Sequence, residues 1–260
     1  MAKLEYGKEA AERLLAVYST PDVKQQRTEF LKTIELKVGE RVLDVGSGPG
    51  FLARAIAKKV GTKGMVCGVD ISEFFIQVAK SHNEDQPMIS FSYGEATNLD
   101  FSNEEFDTVV CTQVLEYVQD VGAALKEFNR VLRKGGKVAI LDTDWDSIVW
   151  NTSNRARMSR ILTAWEAHAT DPFLPRILTE RMTDAGFKVD SLKIIPIYNP
   201  KYDPNTYSNR IIDLIVPFVL EHSNIKQEEV DAWSAELRNQ NDQYAYFFSL
   251  NRYLFLGTKS

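Results

Sequence analysis

From about residue 41 to 143, short apolar runs alternate with amphipathic stretches, a rhythm that predicts strands joined by crossover helices. The predicted strands are Arg41 to Val45, Met65 to Asp70, Ile89 to Tyr93, Phe106 to Thr112 and Lys137 to Asp142. Between them the 3.6-residue period predicts helices over Phe51 to Lys59, Ser72 to Ser81 and Val121 to Leu132, the last stopped by Gly135-Gly136. Strands that are apolar nearly throughout are buried on both faces, so the pattern implies an α/β fold with a mostly parallel sheet and helices on either side. Residues 1 to 36 read as helices broken at Ser19-Thr20-Pro21. Beyond Trp145 come a helix from about Asn154 to Ala169 and a second opened by Pro175 and closed by Gly186. A strand from Phe187 to Tyr198, helices near 206 to 221 and 227 to 239, and a last strand from Tyr246 to Thr258 complete the pattern. With no repeat or flexible linker, the chain divides into an N-terminal helical lid (1–36), a core (37–144) and a stretch of cap helices with the remaining strands (145–260), all within one structural domain.

Composition narrows the partners. The 31 Lys and Arg residues against 36 Asp and Glu leave a formal charge of −5, and no basic run offers the phosphate attraction on which nucleic-acid binders depend. No nucleic-acid partner is expected. Cys67 and Cys111 lie in separate apolar runs and the three histidines are scattered, so neither a disulfide framework nor a metal site is indicated. The first thirteen residues carry Lys3, Glu5, Lys8, Glu9, Glu12 and Arg13 in place of an apolar signal core, and no apolar stretch has the length of a membrane span. A cytoplasmic location is the expectation.

The most informative segment is Val42-Leu43-Asp44-Val45-Gly46-Ser47-Gly48-Pro49-Gly50-Phe51, an apolar strand that enters a glycine turn and opens a helix. Such a turn lies at the carboxyl end of a parallel strand, where open α/β sheets bind ligands, and its glycines let a ligand approach the backbone. Dinucleotide enzymes also carry a glycine loop. Here the spacing is Gly46-x-Gly48-x-Gly50, and Asp44 stands two residues before the first glycine; a carboxylate at that point repels a pyrophosphate and attracts an ammonium or a sulfonium. Asp70, ending the second strand, suits the two hydroxyls of an adenosine ribose. Glu95 after the third strand can accept from an adenine amino group, and Gln113 follows the fourth.

The segments VLDVGSGPG, GVDIS, YGEATNLDF, FDTVVCTQVLEYVQD and RVLRKGGKVAILD together resemble the class I S-adenosylmethionine-dependent methyltransferases, in the small-molecule branch that includes the ubiquinone and menaquinone C-methyltransferases. The resemblance covers about residues 40 to 143. It implies a Rossmann-like seven-stranded sheet whose last strand is antiparallel and lies between the fifth and sixth, with S-adenosyl-L-methionine as cofactor. It places Gly46, Ser47, Gly48 and Gly50 in the loop that lines the methionine part, with Asp44 near its ammonium. Asp70 would hold the ribose and Ile71 the adenine face, Glu95 and Ala96 the adenine edge, and Gln113 the methionyl backbone. Tyr18 and Arg27 on the N-terminal helices become candidates to close over the cofactor, Arg27 for its carboxylate.

Departures within the family narrow the acceptor. Gln113-Val114-Leu115-Glu116 replaces the Asn/Asp-Pro-Pro-aromatic tetrapeptide of base-methylating enzymes, and the acidic pattern of metal-dependent catechol methyltransferases is missing. The expected reaction is methyl transfer to a small, aromatic or partly apolar molecule. Where that acceptor must lose a proton, Asp144 is the first candidate base and His168 the second, although His168 follows Ile161 and Trp165 at helical spacing and equally suits a packing role. The rival reading is a non-catalytic S-adenosylmethionine-binding protein whose cap recruits a partner.

Overall fold

A computed structural model describes residues 8–240 and 245–260. Charged positions 3 and 5 of the predicted N-terminal helix lie outside the described residues. The chain forms two compact units. One, the sheet unit, comprises Arg27–Thr143, Phe173–Ile195 and Arg252–Ser260; the other, the helical unit, comprises the residues up to Gln26 together with Asp144–Pro172 and Pro196–Asn251.

In the sheet unit, β1 (Arg41–Val45), β2 (Met65–Asp70), β3 (Ile89–Tyr93), β4 (Phe106–Thr112) and β5 (Leu132–Thr143) pair in parallel in the order β3-β2-β1-β4-β5. The last strand, β8 (Phe248–Lys259), runs antiparallel to β5, with Thr143 opposite Arg252. β7 (Phe187–Asn199) also pairs with β8, and the short β6 (Val149–Trp150), which belongs to the helical unit, pairs with the first residues of β8, giving eight strands among the described residues. The terminal strand thus lies between the fifth strand and β7, as the family resemblance implied.

Alternation along each strand sends side chains to opposite faces. Leu43, Val109, Cys111, Val138 and Ile140 pack on one side with Leu125 and Phe128 of α5 (Val121–Val131) and Met182 of α7 (Leu178–Asp184). Val42, Val66, Val110 and Leu141 pack on the other with Phe30 of α2 (Pro21–Thr33), Ile56 of α3 (Phe51–Val60) and Ile76 of α4 (Glu73–His82). Both cysteines are free and buried. One boundary differs from the sequence reading. α5 ends at Val131 and β5 starts at Leu132, so Gly135 and Gly136 fall inside the strand, where Gly135 takes a positive φ of 72° and a bulge interrupts pairing with β4. A glycine pair marks a bend as readily as a helix stop.

The helical unit contains α1 (Lys8–Tyr18), α6 (Arg155–Glu166), α8 (Tyr207–His222) and α9 (Gln227–Asn239). Buried Trp165, Phe218, Trp233 and Tyr207 fill its interior. Asp22 ties its segments together, accepting at Oδ2 from Asn199 Nδ2 at 2.9 Å and from the Tyr207 amide at 2.8 Å. No helix among the described residues is long and apolar enough to cross a membrane.

Candidate active site

Within the sheet unit, the carboxyl ends of β1, β2 and β4 bring most of the loop residues together. Gly46 and Ser47 turn the chain off β1 by donating their amides to the Val69 carbonyl at 2.8 and 2.9 Å. Gly46 has φ 71°, and a Cβ at that position would lie 2.1 Å from Val114 Cγ2, so the turn after β4 packs directly on the loop. Only glycine allows that approach. Gly48, at φ 50°, donates its amide to Asp70 Oδ2 at 2.8 Å, while Ser72 donates to Oδ1 at 2.8 Å. Asp70 is therefore fixed by backbone donors on both oxygens. Burial raises its pKa, and the Ser72 and Gly48 amides pull it down. Gly50, also left-handed, caps α3 without a side chain.

Asp44 is the electrostatic focus. It is buried, and among the described residues neither of its oxygens has a hydrogen-bond partner within bonding distance. Burial first and the neighbouring Asp70 second raise its pKa to about 7, while Arg27 and the Ala53 amide compensate only in part. That rise, from 3.8 to about 7, corresponds to a penalty of about 4 kcal/mol on the charged form. Natural proteins seldom leave a buried carboxylate so poorly matched without a ligand to match it. Ser47 is also buried, and its Oγ has no partner. Arg27 lies with its guanidinium 5.1 Å from the Phe51 ring centroid and, among the described residues, brings a positive charge to bear on Asp44.

The adenine-side candidates form an open strip. Ile71 is 58% exposed, and Tyr93, 57% exposed, donates its hydroxyl to Glu95 Oε1 at 3.3 Å. Ala96 is buried beside them. Gln113 follows β4 at φ 59°, a left-handed conformation that is strained for a residue with a side chain. Its amide and its Nε2 both donate to the Leu141 carbonyl, at 2.7 and 3.1 Å, and its Oε1 accepts from Thr143 Oγ1 at 2.6 Å.

Three candidates belong to the helical unit. Tyr18 ends α1 and is half-buried. Asp144, buried, caps the turn Trp145–Ser147 by accepting from the Asp146 amide at 3.2 Å. His168 is buried, stacked on Trp165 at 3.8 Å between ring centroids and edge-on to Trp145 at 4.4 Å. Burial lowers its pKa to about 3, so the ring is neutral across the physiological range.

The structure adds Glu116, Asp142 and Arg252, all buried at the ends of β4, β5 and β8 in the sheet unit. Asp142 lies inside β5, as the predicted strand Lys137 to Asp142 had it. A charged residue within an apolar run was the available signal, and it pointed to a buried partner of opposite or shared charge.

The profile described as a methyltransferase domain matches residues 36–186. The chain belongs to the methyltransferase family. Its likeness to curated proteins places it among the class I S-adenosylmethionine-dependent methyltransferases related to the quinone methyltransferases, and S-adenosyl-L-methionine is its cofactor. A demethylmenaquinone methyltransferase of Staphylococcus saprophyticus is 38% identical over 132 residues, which cover 51% of this chain and 57% of that protein. The chain spans about half the length of the curated relatives it matches. Among solved structures, phosphoethanolamine N-methyltransferase 2 of Haemonchus contortus, in complex with S-adenosyl-L-methionine, shares the fold at a TM-score of 0.62 and 18% identity, covering 98% of this chain and 58% of that one. The YcgJ protein of Bacillus subtilis does so at a TM-score of 0.59 and 22% identity, covering 91% and 98%. The methyltransferase cofactor suits the polar groups of the sheet unit: a buried, only partly compensated carboxylate for an ammonium, a doubly anchored carboxylate for ribose hydroxyls, and glycines that leave the backbone open.

Proposed function

We propose that this methyltransferase moves the methyl group of S-adenosylmethionine to a small aromatic or partly apolar molecule, with a reduced quinone ring as the first acceptor to test. The observation that carries the cofactor placement is Asp44, whose two oxygens are buried at the strand end beside the glycine loop without close hydrogen-bond partners among the described residues. The related demethylmenaquinone methyltransferase supports the acceptor class.

When bound, S-adenosylmethionine supplies an electrophilic methyl on a sulfonium. The residues of the chain bind, orient and exclude water. Asp44 receives the ammonium in its ionised form, and Asp70 accepts from the ribose hydroxyls with the lone pairs left by the Gly48 and Ser72 amides. Ile71 and Ala96 hold the adenine, Glu95 its amino edge, and Gly46, Ser47, Gly48, Gly50 and Gln113 the methionine part. Arg27 takes the carboxylate, and Tyr18 closes from α1. With that group bound, the chain's part in catalysis would be to align the acceptor with the methyl and to exclude water. For a phenol or an activated ring carbon, Asp144 takes the proton. His168 is the weaker base of the two, because its ring is held neutral and unreceptive by burial against Trp165.

The test is release of S-adenosylhomocysteine from S-adenosylmethionine in the presence of a panel of phenols, quinols and amines. Release above background with an aromatic hydroxyl compound supports the reading. Saturable cofactor binding with no release from any acceptor favours a non-catalytic binding protein instead.

A further inference from the structure

The first turn of α3 meets both charged groups assigned to the cofactor's amino-acid end. Its Ala53 amide offsets part of the burial of Asp44, and its first residue, Phe51, has the Arg27 guanidinium over its ring at 5.1 Å from the centroid. Arg27 comes from α2 and Asp44 from β1, while Phe51 follows directly on the left-handed Gly50, so the glycine loop itself sets where the ring stands. A second ring braces Phe51 from α4. His82 stacks on it with centroids 5.5 Å apart and planes inclined by 12°. That end of α4 is tied back to α3, because Arg54 donates to the His82 carbonyl at 2.9 Å and pairs with Asp85 at 2.6 and 2.8 Å.

These contacts suit a particular task. An arginine side chain loses about 2 kcal/mol of rotamer entropy when it is fixed to grip an anion. Contact with an aromatic face restrains the guanidinium beforehand and brings no opposite charge, so its pull on a carboxylate is kept. Burial works against the half-buried Arg27 cation and Asp44 supports it, so an anion arriving beside it is held more firmly than at an open surface. The amino-acid end of S-adenosylmethionine carries one ammonium and one carboxylate. Asp44 and Arg27 present the complementary two charges.

We propose that Phe51 is a positioning residue that, braced by His82, holds Arg27 for the carboxylate of S-adenosylmethionine and so selects the intact amino-acid end over a cofactor that lacks the carboxylate. This rests on the assignment of that carboxylate to Arg27. Phe51 acts through Arg27, not on the reacting atoms.

The test is calorimetric titration of S-adenosylmethionine and of its decarboxylated form, which keeps the ammonium, the sulfonium and the adenosine. The proteins are the wild-type chain, Phe51→Leu, Phe51→Trp, Arg27→Gln and the double variant of Phe51→Leu with Arg27→Gln. Phe51→Leu should raise Kd for S-adenosylmethionine about fivefold and leave that of the decarboxylated form within about twofold. Phe51→Trp keeps an aromatic face and should stay within about twofold of wild type for both. In the Arg27→Gln background, Phe51→Leu should have no further effect. Equal loss of both cofactors in Phe51→Leu overturns the proposal, since the ring would then support the loop as a whole, and so does a loss that persists in the Arg27→Gln background. Should Phe51→Leu fail to fold, Phe51→Met removes the aromatic face with a flexible side chain and carries the same expectations. If Arg27→Gln narrows the preference for S-adenosylmethionine and the Phe51 variants do not, the role of Phe51 alone is wrong. A preference unchanged in Arg27→Gln removes the carboxylate assignment, and the proposal with it.

Discussion

The sheet unit and the helical unit bury different kinds of polar group. In the sheet unit, charged side chains collect near the strand ends: Asp44, Glu116, Asp142 and Arg252 are all buried there, and neither oxygen of Asp44 has a close hydrogen-bond partner among the described residues. In the helical unit, buried Tyr246 donates to Ser208 Oγ at 2.7 Å and the half-buried Asp22 accepts from Asn199 and the Tyr207 amide, while the buried ring nitrogens of Trp145 and Trp165 have no partner among the described residues. An aromatic cluster lies there too: Trp165 stacks on His168, and Trp145 meets both rings edge to face. A binding site for a charged, hydroxyl-rich cofactor stores polarity that the free protein leaves poorly matched, whereas an aromatic interior needs only close packing and exclusion of water.

The most damaging break of this comparison should come from the loop backbone. Gly48→Val puts a β-branched residue at φ 50°, and cofactor binding should fall below detection in a titration while the far-ultraviolet circular dichroism stays that of an α/β protein. Next in size, Asp144→Asn keeps the shape of its side chain and loses basicity, so kcat with a protonated phenol or quinol should drop by on the order of 10² to 10⁴ with little change in cofactor affinity. A normal rate there would reduce the helical unit's contribution to alignment. The free carboxyl of Asp44, with its pKa raised to about 7, is largely protonated at pH 6, and an ammonium selects the ionised form. Affinity for S-adenosylmethionine should therefore be about tenfold weaker at pH 6 than at pH 8, with a proton released on binding at the lower pH. The free protein should show the reverse trend from this group, its contribution to stability falling as pH rises from 4 towards 7, because the folded state holds the proton more tightly than the unfolded one. His168→Ala should have the smallest effect on catalysis, within about threefold in kcat, yet lower stability by about 2–3 kcal/mol through the hole left beside Trp165.

How far the sequence revealed each unit follows from the same contrast. The glycine loop, Asp44 and Asp70 were legible because backbone geometry at a strand end demands particular residues at particular spacings, and the five parallel strands because burial on both faces makes their apolar runs continuous. Glu116 and Asp142 were harder: each looks like a turn residue until β4 and β5 are set side by side, since their partners lie 27 and 28 residues away in the chain. Gly135-Gly136 was read as a helix stop, although the helix had already ended at Val131. In the helical unit, Trp145, Trp165 and His168 belong to different segments, and nothing local in the chain distinguishes an aromatic that fills a core from one that faces a ligand.

The account depends most on the carboxyl ends of β1 and β2 as the seat of S-adenosylmethionine. Titration of the cofactor into wild type and Asp70→Ala tests this directly, because the variant deletes the acceptor for both ribose hydroxyls and affinity should fall by about 2 kcal/mol, roughly thirtyfold. NAD, whose pyrophosphate would meet Asp44, should give no saturable heat in the same cell at millimolar concentration. An unchanged dissociation constant in Asp70→Ala, or saturable binding of NAD, would contradict it.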